Sequence, residues 1–306
     1  MKARISTEWL SGCSGCHVAV VDLHEKLLAL VDEVEFVRVP VLMDETSYPE
    51  ADVGVVEGAI RSDHDREAAQ RMRDSCKTLV AFGTCAVYGG PSGIGWLYEP
   101  STILRTAYQE GRSNAGDNAP AAGLPQLEDS VTPLDQVVEV DVYLPGCPPH
   151  PFFVAAGLRA ALGVAAPPLT AQSVCSDCNR VMRKQSVATL QRGALTAPEA
   201  HTCFLSQGVV CLGSVALNRC HAPCPNSGVA CTGCAGPALE LIREPHLDLR
   251  TLVAKRLNLL TGLPREEVVA YFQESAKTFY AYAMASPVVY GKPTVEMRAW
   301  TKGPQA

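Results

Sequence analysis

Short runs of apolar residues alternate with segments of helical periodicity through the first half of the chain. The runs are rich in valine and occur in ISTEWL, VEFVRVPVLM, ADVGVVEGAI, KTLVAFGTCAVYGG and VVEVDVYLPGC. Such runs are typical of strands buried on both faces of a parallel sheet. HVAVVDLHEKLLAL and DHDREAAQRMRDSC have helical spacing, the second as an exposed crossover helix. The alternation predicts an α/β fold with a flavodoxin-like, doubly wound parallel sheet.

Cysteine density divides the chain in two. Cysteines are sparse up to about residue 165, whereas eight lie between Cys175 and Cys234 and none follows. We therefore predict one domain over 1–166 and a cysteine-rich, loop- and helix-containing domain over 167–306. Residues 109–135, rich in Gly, Pro, Asn and Ala, are predicted to form a long surface excursion. The tail from residue 245 is predicted to be helical, with a frayed end.

Bulk properties narrow the class of protein. The chain has 306 residues, 47% of them hydrophobic, which suffices for a sizeable core. Its net charge of −6 argues against nucleic acid or an anionic membrane as the main partner. No apolar run approaches the roughly 20 residues of a membrane span, and MKARISTEWLSGC has neither an export core nor a twin arginine. We expect a cytoplasmic protein.

Thirteen cysteines in a reducing compartment indicate metal binding or redox chemistry rather than disulfides. Cys13 and Cys16 follow the first predicted strand, and Cys85 and Cys147 each follow a later one. Since open α/β sheets bind ligands at the carboxyl ends of their strands, these four thiols are expected to form one site. A thioredoxin-like dithiol at CSGC would leave Cys85 and Cys147 unexplained. Cys76, at a predicted helix-to-strand turn, is expected to be a small buried hydrophobe.

The second half supplies eight more candidate ligands, enough for two four-ligand sites. Its segments between cysteines are glycine-rich and irregular, so we expect this domain to fold around its metals. The spacing alone does not separate zinc from iron–sulfur, because both take four thiolates. Cys224-Pro225 is similar to the end of a bacterial ferredoxin motif, but the preceding C-x2-C-x2 is missing. The cysteines are Cys175-x2-Cys178, Cys203-x7-Cys211, Cys220-x3-Cys224 and Cys231-x2-Cys234.

Over nearly its full length the chain resembles the small subunit of nickel–iron hydrogenases. The N-terminal motifs are WLSGCSGC, VVEGAI, VAFGTCAVYGG and LPGCPPHP, and the C-terminal ones are CSDC, CFLSQGVVCLG and CHAPCPNSGVACTGC. The resemblance implies three 4Fe–4S clusters in an electron-transfer subunit, with the nickel–iron centre on a partner large subunit. The implied ligands are Cys13, Cys16, Cys85 and Cys147 for the proximal cluster, Cys220, Cys224, Cys231 and Cys234 for the medial cluster, and Cys175, Cys178, Cys203 and Cys211 for the distal cluster.

Two positions depart from the exported members of that family. Those have histidine where this chain has Cys175, and proline where it has Cys224. Cysteine at the second position implies a 4Fe–4S medial cluster in place of a 3Fe–4S one. The pattern resembles cytosolic, methyl-viologen-reducing hydrogenases, whose acceptor subunit would be flavin-containing, nicotinamide-linked or disulfide-reducing.

Two alternatives stay open on the residues alone. An iron–sulfur subunit of a complex-I-like oxidoreductase shares the N-terminal fold but normally has two adjacent cysteines and no eight-cysteine domain. A zinc-stabilised binding module is the other. No catalytic residue is expected in this chain; Glu57, at a strand end, is a candidate for a proton path. His17, His150 and His201 lie near predicted ligands but are more simply interpreted as solvated or core histidines.

Overall fold

The computed structural model describes residues 2–112, 123–192, 199–243 and 248–286. The chain divides into two compact units, one of Met1–Ala166 with Met284–Ser286 and one that begins at Pro167 and runs to Ala283. Among the described helices, none has the length and apolar character needed to cross a membrane.

A five-stranded parallel sheet forms the centre of the N-terminal unit. Its strand order is β2-β1-β3-β5-β7, the doubly wound order of flavodoxin-like folds. The predicted fold class is therefore confirmed. The five strands are β1 (Ala3–Trp9), β2 (Val34–Arg38), β3 (Ala51–Glu57), β5 (Cys76–Phe82) and β7 (Val142–Leu144).

The core lies around the two central strands. Nearly every residue of β3 is buried, as is the carboxyl half of β5, which explains the continuous apolar runs of their sequences. Cys76 is buried against Gly54, where a Cβ would come within 2.7 Å of the Cys76 sulfur. Its prediction as a small buried hydrophobe is confirmed.

The structure also contains a two-stranded antiparallel sheet that the sequence did not predict. It pairs β4 (Ile60–Ser62) with β6 (Leu127–Thr132). The surface excursion predicted over 109–135 therefore includes a strand that was not predicted, because LEDSVT at 127–132 pairs with β4 despite its polar composition. Residues 113–122 of that stretch lie outside the described part.

The first predicted helix is interrupted. Its residues form α1 (Gly15–Val21) and α2 (Glu25–Glu33), separated by a turn in which His24 has a positive φ of 52°. A left-handed residue cannot continue a right-handed helix, so the single helix predicted from apolar spacing is wrong at this point. The remaining helices of the unit are α3 (Asp63–Ser75), α4 (Gly83–Tyr88), α5 (Pro100–Tyr108) and α6 (Pro151–Ala161).

Irregular backbone carries the cysteines of the C-terminal unit. Short 3-10 turns at Val174–Asp177, Leu205–Gln207 and Leu212–Ser214 connect its loops, a four-residue helix at Pro223–Asn226 carries Cys224, and longer helices follow toward its end. The predicted tail helices are present as far as residue 279, whereas 244–247 and the predicted frayed end lie outside the described residues. The helices are α7 (Pro223–Asn226), α8 (Leu239–Arg243), α9 (Leu249–Thr261), α10 (Arg265–Glu274) and α11 (Ala276–Phe279).

Candidate functional site

The first cysteine group lies at the carboxyl edge of the parallel sheet. Cys13 and Cys16 lie at the start of α1 after β1, Cys85 lies in α4 after β5, and Cys147 follows β7. Because these strands run parallel, their carboxyl ends reach the same edge. The structure therefore brings the four predicted residues of this group to one edge of one sheet.

Backbone pairing and a buried carboxylate hold the loop that carries Cys13. Ser11 exchanges two backbone hydrogen bonds with Ala59, at 3.1 and 2.8 Å. The Ser11 hydroxyl also donates to Asp65 at 2.8 Å, and Asp65 forms a capping box with Ser62 at the start of α3. The CSGC loop is thus fixed to the helix that follows β4.

A reciprocal pair of hydrogen bonds connects the other two loops of this group. The backbone N–H of Thr84 donates to the carbonyl of Gly146 at 2.9 Å. The Gly146 N–H donates back to Oγ1 of Thr84, also at 2.9 Å. Since Thr84 precedes Cys85 and Gly146 precedes Cys147, this pair sets the two thiols relative to each other.

Two glycines leave room for the sulfur atoms. At Gly83, with φ +84°, an added Cβ would lie 2.1 Å from the Cys16 sulfur. At Gly90, with φ +53°, it would lie 2.5 Å from the Cys85 sulfur. At both positions the backbone is left-handed and a cysteine sulfur occupies the space that a Cβ would need, so only glycine fits.

The thiols of this group interact electrostatically. Burial raises the pKa of Cys16 well above its usual range, with further increases from Glu57, Cys85, Cys147 and Cys13, in that order. Burial, followed by Cys85 and Cys13, raises the pKa of Cys147 to about 11. Four thiolates at this edge would therefore repel one another and require a bound cation to coexist.

Glu57 ends β3 beside this group. It is almost fully buried and accepts hydrogen bonds from the backbone N–H of His17 at 2.7 Å and from its Nδ1 at 2.6 Å. The His17 ring also packs edge-on against Trp9, with centroids 4.9 Å apart. His17 is thus held by Glu57 and is not a solvated surface histidine. The sequence pattern contained no sign that the two residues pair.

The second group comprises Cys175, Cys178, Cys203 and Cys211, which line one cavity of the C-terminal unit. Burial raises the pKa of Cys175 to about 12, followed by repulsion from Cys211, Cys203 and Cys178. Burial likewise raises the pKa of Cys211 to about 11, although backbone N–H groups of Gly213 and Cys231 oppose the increase. The structure brings all four members of this predicted set together.

The third group comprises Cys220, Cys224, Cys231 and Cys234. Burial raises the pKa of Cys231 above its usual range, and the charges of Cys211 in the second group, then of Cys234 and of Cys220, add to the increase. Burial also raises the pKa of Cys220, with Cys224 contributing. These interactions place the four cysteines in one neighbourhood, which adjoins the second group at Cys211.

Backbone amides point at sulfur where the two C-terminal groups meet. The N–H of Cys231 donates to the Cys211 sulfur at 3.3 Å, and the N–H of Gly233 donates to the Cys231 sulfur at 3.4 Å. Gly213 lies between the groups, with space for a Cβ only 3.5 to 3.7 Å from Cys231, Cys211 and Cys175. The second and third groups are therefore neighbours within this unit.

A polar network between these groups was not predicted from the sequence. Asn218 donates to Asp177 at 2.8 Å, and Nδ1 of His221 lies 2.8 Å from the same carboxylate. The Asn218 side-chain carbonyl accepts from the backbone N–H of His221 at 3.1 Å. No spacing signal marks the contacts to Asp177, because they join residues more than 40 positions apart.

The other two predicted histidines have surface positions. His150 is exposed and accepts a hydrogen bond from the backbone N–H of Phe152 at the start of α6. His201 is exposed, and its backbone carbonyl accepts from Val181. Neither position requires a role in binding.

The donor set fits iron–sulfur clusters. Each group offers four cysteine sulfurs, which is the usual ligand set of a 4Fe–4S cluster, and glycine positions and amide N–H groups adjoin the sulfurs. Among the described residues, no three Cys, His, Asp or Glu side chains are placed to hold a single metal ion. A cubane does not need its ligands to converge on one ion, since each sulfur binds a different iron.

Comparison with known proteins gives one match to the N-terminal unit and others that extend into the C-terminal unit. The family model described as NADH ubiquinone oxidoreductase, 20 Kd subunit, matches residues 13–161. An F420-non-reducing hydrogenase subunit of Methanothermobacter marburgensis is 33% identical over 298 residues, with 94% of this chain and 96% of that protein covered. An F420-non-reducing hydrogenase subunit of Methanococcus voltae is 37% identical over 244 residues, with 79% and 85% covered.

A solved structure extends the likeness to three dimensions. A chain of an NAD+-reducing [NiFe]-hydrogenase in the H2-reduced state has a TM-score of 0.52 and 33% identity, covering 55% of this chain and 96% of that chain. Fold and cysteine groups thus define an iron–sulfur subunit of an oxidoreductase. The chain belongs to the family of nickel–iron hydrogenase small subunits and works as part of a hydrogenase complex.

Proposed function

We propose that this chain carries electrons between the nickel–iron site of a large subunit and an acceptor subunit through three 4Fe–4S clusters. The proposal is supported by four cysteines at the carboxyl edge of the sheet and eight in the C-terminal unit, four of which line one cavity, whereas Cys76 is buried away from that edge. The proximal, medial and distal clusters would be held, respectively, by Cys13, Cys16, Cys85 and Cys147, by Cys220, Cys224, Cys231 and Cys234, and by Cys175, Cys178, Cys203 and Cys211.

A 4Fe–4S cluster, when bound, accepts and returns single electrons. The protein's own part is to hold and surround it. The amide N–H of Cys231 donates to the Cys211 sulfur, which favours negative charge on that sulfur. Buried side chains such as Leu212 and Val174 exclude water from the same region. Both hydrogen bonding to sulfur and solvent exclusion tune the potential of such a site.

The acceptor is proposed by likeness to the relatives. Two of these are named F420-non-reducing hydrogenase subunits, so we propose an acceptor other than F420 for this chain as well. A flavin-containing, nicotinamide-linked or disulfide-reducing subunit would meet this requirement. A cytoplasmic location, without nucleic acid as a partner, is part of the same proposal.

Hydrogen-dependent dye reduction tests the proposed function. The chain would be co-expressed with its large subunit, purified without oxygen, and mixed with methyl viologen under hydrogen. We expect dye reduction together with reduction of the iron–sulfur signals by hydrogen alone. A complex that contains both chains and reduces neither the dye nor those signals would contradict the proposal, and the large subunit alone is the control.

Glu57 is proposed as a member of a proton path, because its buried carboxylate bonds to His17 beside the first cysteine group. Glu57→Gln keeps a hydrogen-bonding side chain of the same shape but cannot exchange a proton. We expect the complex to catalyse exchange between dihydrogen and deuterated water more slowly, with unchanged iron content. Unchanged exchange would remove Glu57 from the path.

A further inference from the structure

Arg180 lies in the C-terminal unit, two residues after Cys178. Its side chain lines the same cavity as Cys175, Cys178, Cys203 and Cys211. It therefore adjoins the second cysteine group without belonging to the ligand set. Nothing in the spacing of the cysteines distinguishes it from the other arginines of the chain.

Two chain segments, 199–204 and the turn at Pro225, fix the guanidinium group in place. Its Nε donates to the carbonyl of Pro225 at 2.7 Å, and its Nη1 donates to the carbonyls of Glu199 and Thr202 at 2.6 and 3.0 Å. Its Cζ lies 4.1 Å from the ring centroid of Phe204. Thr202 and Phe204 flank Cys203, and Pro225 follows Cys224. The guanidinium is thus held between loops of the second and third groups.

The charge of Arg180 has no carboxylate partner among the described residues. Its hydrogen bonds within that part of the chain all run to backbone carbonyls, which are neutral. In contrast, Arg192 pairs with Glu274 at 2.5 Å, and Arg256, which lies near Cys175, pairs with Glu240 at 3.0 Å. An arginine remains charged at any working pH. Arg180 therefore contributes a positive charge at the cavity of the second group, with no described carboxylate in ion-pair contact with it.

We propose that Arg180 raises the reduction potential of the cluster held by Cys175, Cys178, Cys203 and Cys211. This inference rests on the proposed function, since it needs a cluster in that cavity. One-electron reduction adds one negative charge to a cluster with four thiolates, and no bond forms or breaks. A fixed cation at the cavity stabilises the reduced form more than the oxidised form. Arg180 is a tuning residue that acts through its charge and does not bind the cluster.

The test compares two substitutions of Arg180 in the full, anaerobically purified complex. Arg180→Gln removes the charge, whereas Arg180→Lys keeps it, and both lose the forked hydrogen bonds to the carbonyls of Pro225 and Thr202. The readout is the midpoint potential of the cluster signal, followed by paramagnetic resonance during titration with redox mediators. The signal is assigned to this group by its change in Cys203→Ser.

We expect a lower midpoint potential for Arg180→Gln and a near-normal potential for Arg180→Lys. Arg192→Gln is the matched control, because Arg192 also stacks on an aromatic ring, that of Tyr271, but is paired with Glu274. Its midpoint should equal that of the unmodified protein. An unshifted Arg180→Gln, or an Arg180→Lys that falls as far as Arg180→Gln, would overturn the inference.

If a variant assembles poorly, its iron and sulfide content is measured in place of the midpoint potential. Loss of about four irons in Arg180→Gln but not in Arg180→Lys would show that the charge holds the cluster rather than setting its potential, and would overturn the inference. The same loss in both variants shows that only the hydrogen bonds matter and overturns the inference. Unmodified protein that lacks iron and sulfide defeats the proposed function itself. Unmodified protein with clusters but unshifted variants defeats only the role of Arg180.

Discussion

The two units hold their cysteines in opposite ways. In the N-terminal unit, a parallel sheet with a buried core places Cys13, Cys16, Cys85 and Cys147 at one edge. In the C-terminal unit, eight cysteines lie on loops, short turns and the four-residue helix α7, and longer helices follow them in the chain. The first site is an addition to a fold with its own core, whereas we expect the cysteine loops of the second region to depend on what they bind. Loss of bound metal should therefore affect the two units differently.

Removal of iron should have the largest effect. In protein made without iron, we expect amide hydrogen exchange across residues 170–236 to become at least about 100-fold faster, because the loops lose their cross-links. The central strands β3 and β5 should change far less, since their core contains no cysteine ligand. Hydrogen-exchange mass spectrometry measures both regions in one sample. Equal loss of protection in both regions would contradict the proposed difference between the two units.

Cys147→Ser tests the independence of the N-terminal site. We expect the protein to lose about four of roughly twelve irons. Hydrogen should then no longer reduce the remaining clusters, because the first step of the electron path is missing. The iron of the C-terminal unit should stay bound. Metal analysis and spectra under hydrogen give the two readouts.

Cys76→Ser is the matched control for that variant. Cys76 is buried but lies outside every cysteine group, so its replacement should cost about 2 kcal/mol of unfolding free energy and no iron. Iron loss in Cys76→Ser, or unchanged turnover in Cys147→Ser, would mean that the ligands are wrongly assigned.

Gly83→Ala tests the space beneath the Cys16 sulfur. The new methyl group would lie 2.1 Å from that sulfur, so we expect displacement of Cys16 and loss of the N-terminal iron. Gly123→Ala is a close control, because its φ of +93° is also left-handed but nothing lies within 4 Å of the added atom. It should retain its iron and lose only about 1 kcal/mol of stability. Equal iron content in the two variants would count against the sulfur position.

The smallest effect concerns pH in protein without clusters. Since the pKa of Cys147 is raised to about 11, its thiol stays protonated and alkylates slowly until the pH approaches that value. The same peptide in urea should reach half-maximal alkylation at a lower pH, near the usual range of a cysteine. Mass spectrometry of the labelled peptide measures both midpoints. Coincident midpoints would show that Cys147 is not buried among other thiols.

Sequence patterns predicted the features that depend on local residue type. Valine-rich runs predicted β3 and β5, and the positions of Cys13 and Cys147 after strands predicted a shared edge. Features that depend on distant partners were missed. The strand β6 has a polar sequence and is defined by its pairing with β4. The contacts of Arg180 join loops that are far apart in the chain, so no periodicity reports them.

Metal and sulfide analysis of freshly isolated protein tests the central claim most directly. The full chain, purified without oxygen, would be assayed for iron, acid-labile sulfide and zinc, with paramagnetic resonance before and after reduction. Three 4Fe–4S clusters predict about twelve irons and an equal amount of sulfide per chain. Zinc without sulfide, and no signal after reduction, would contradict the account.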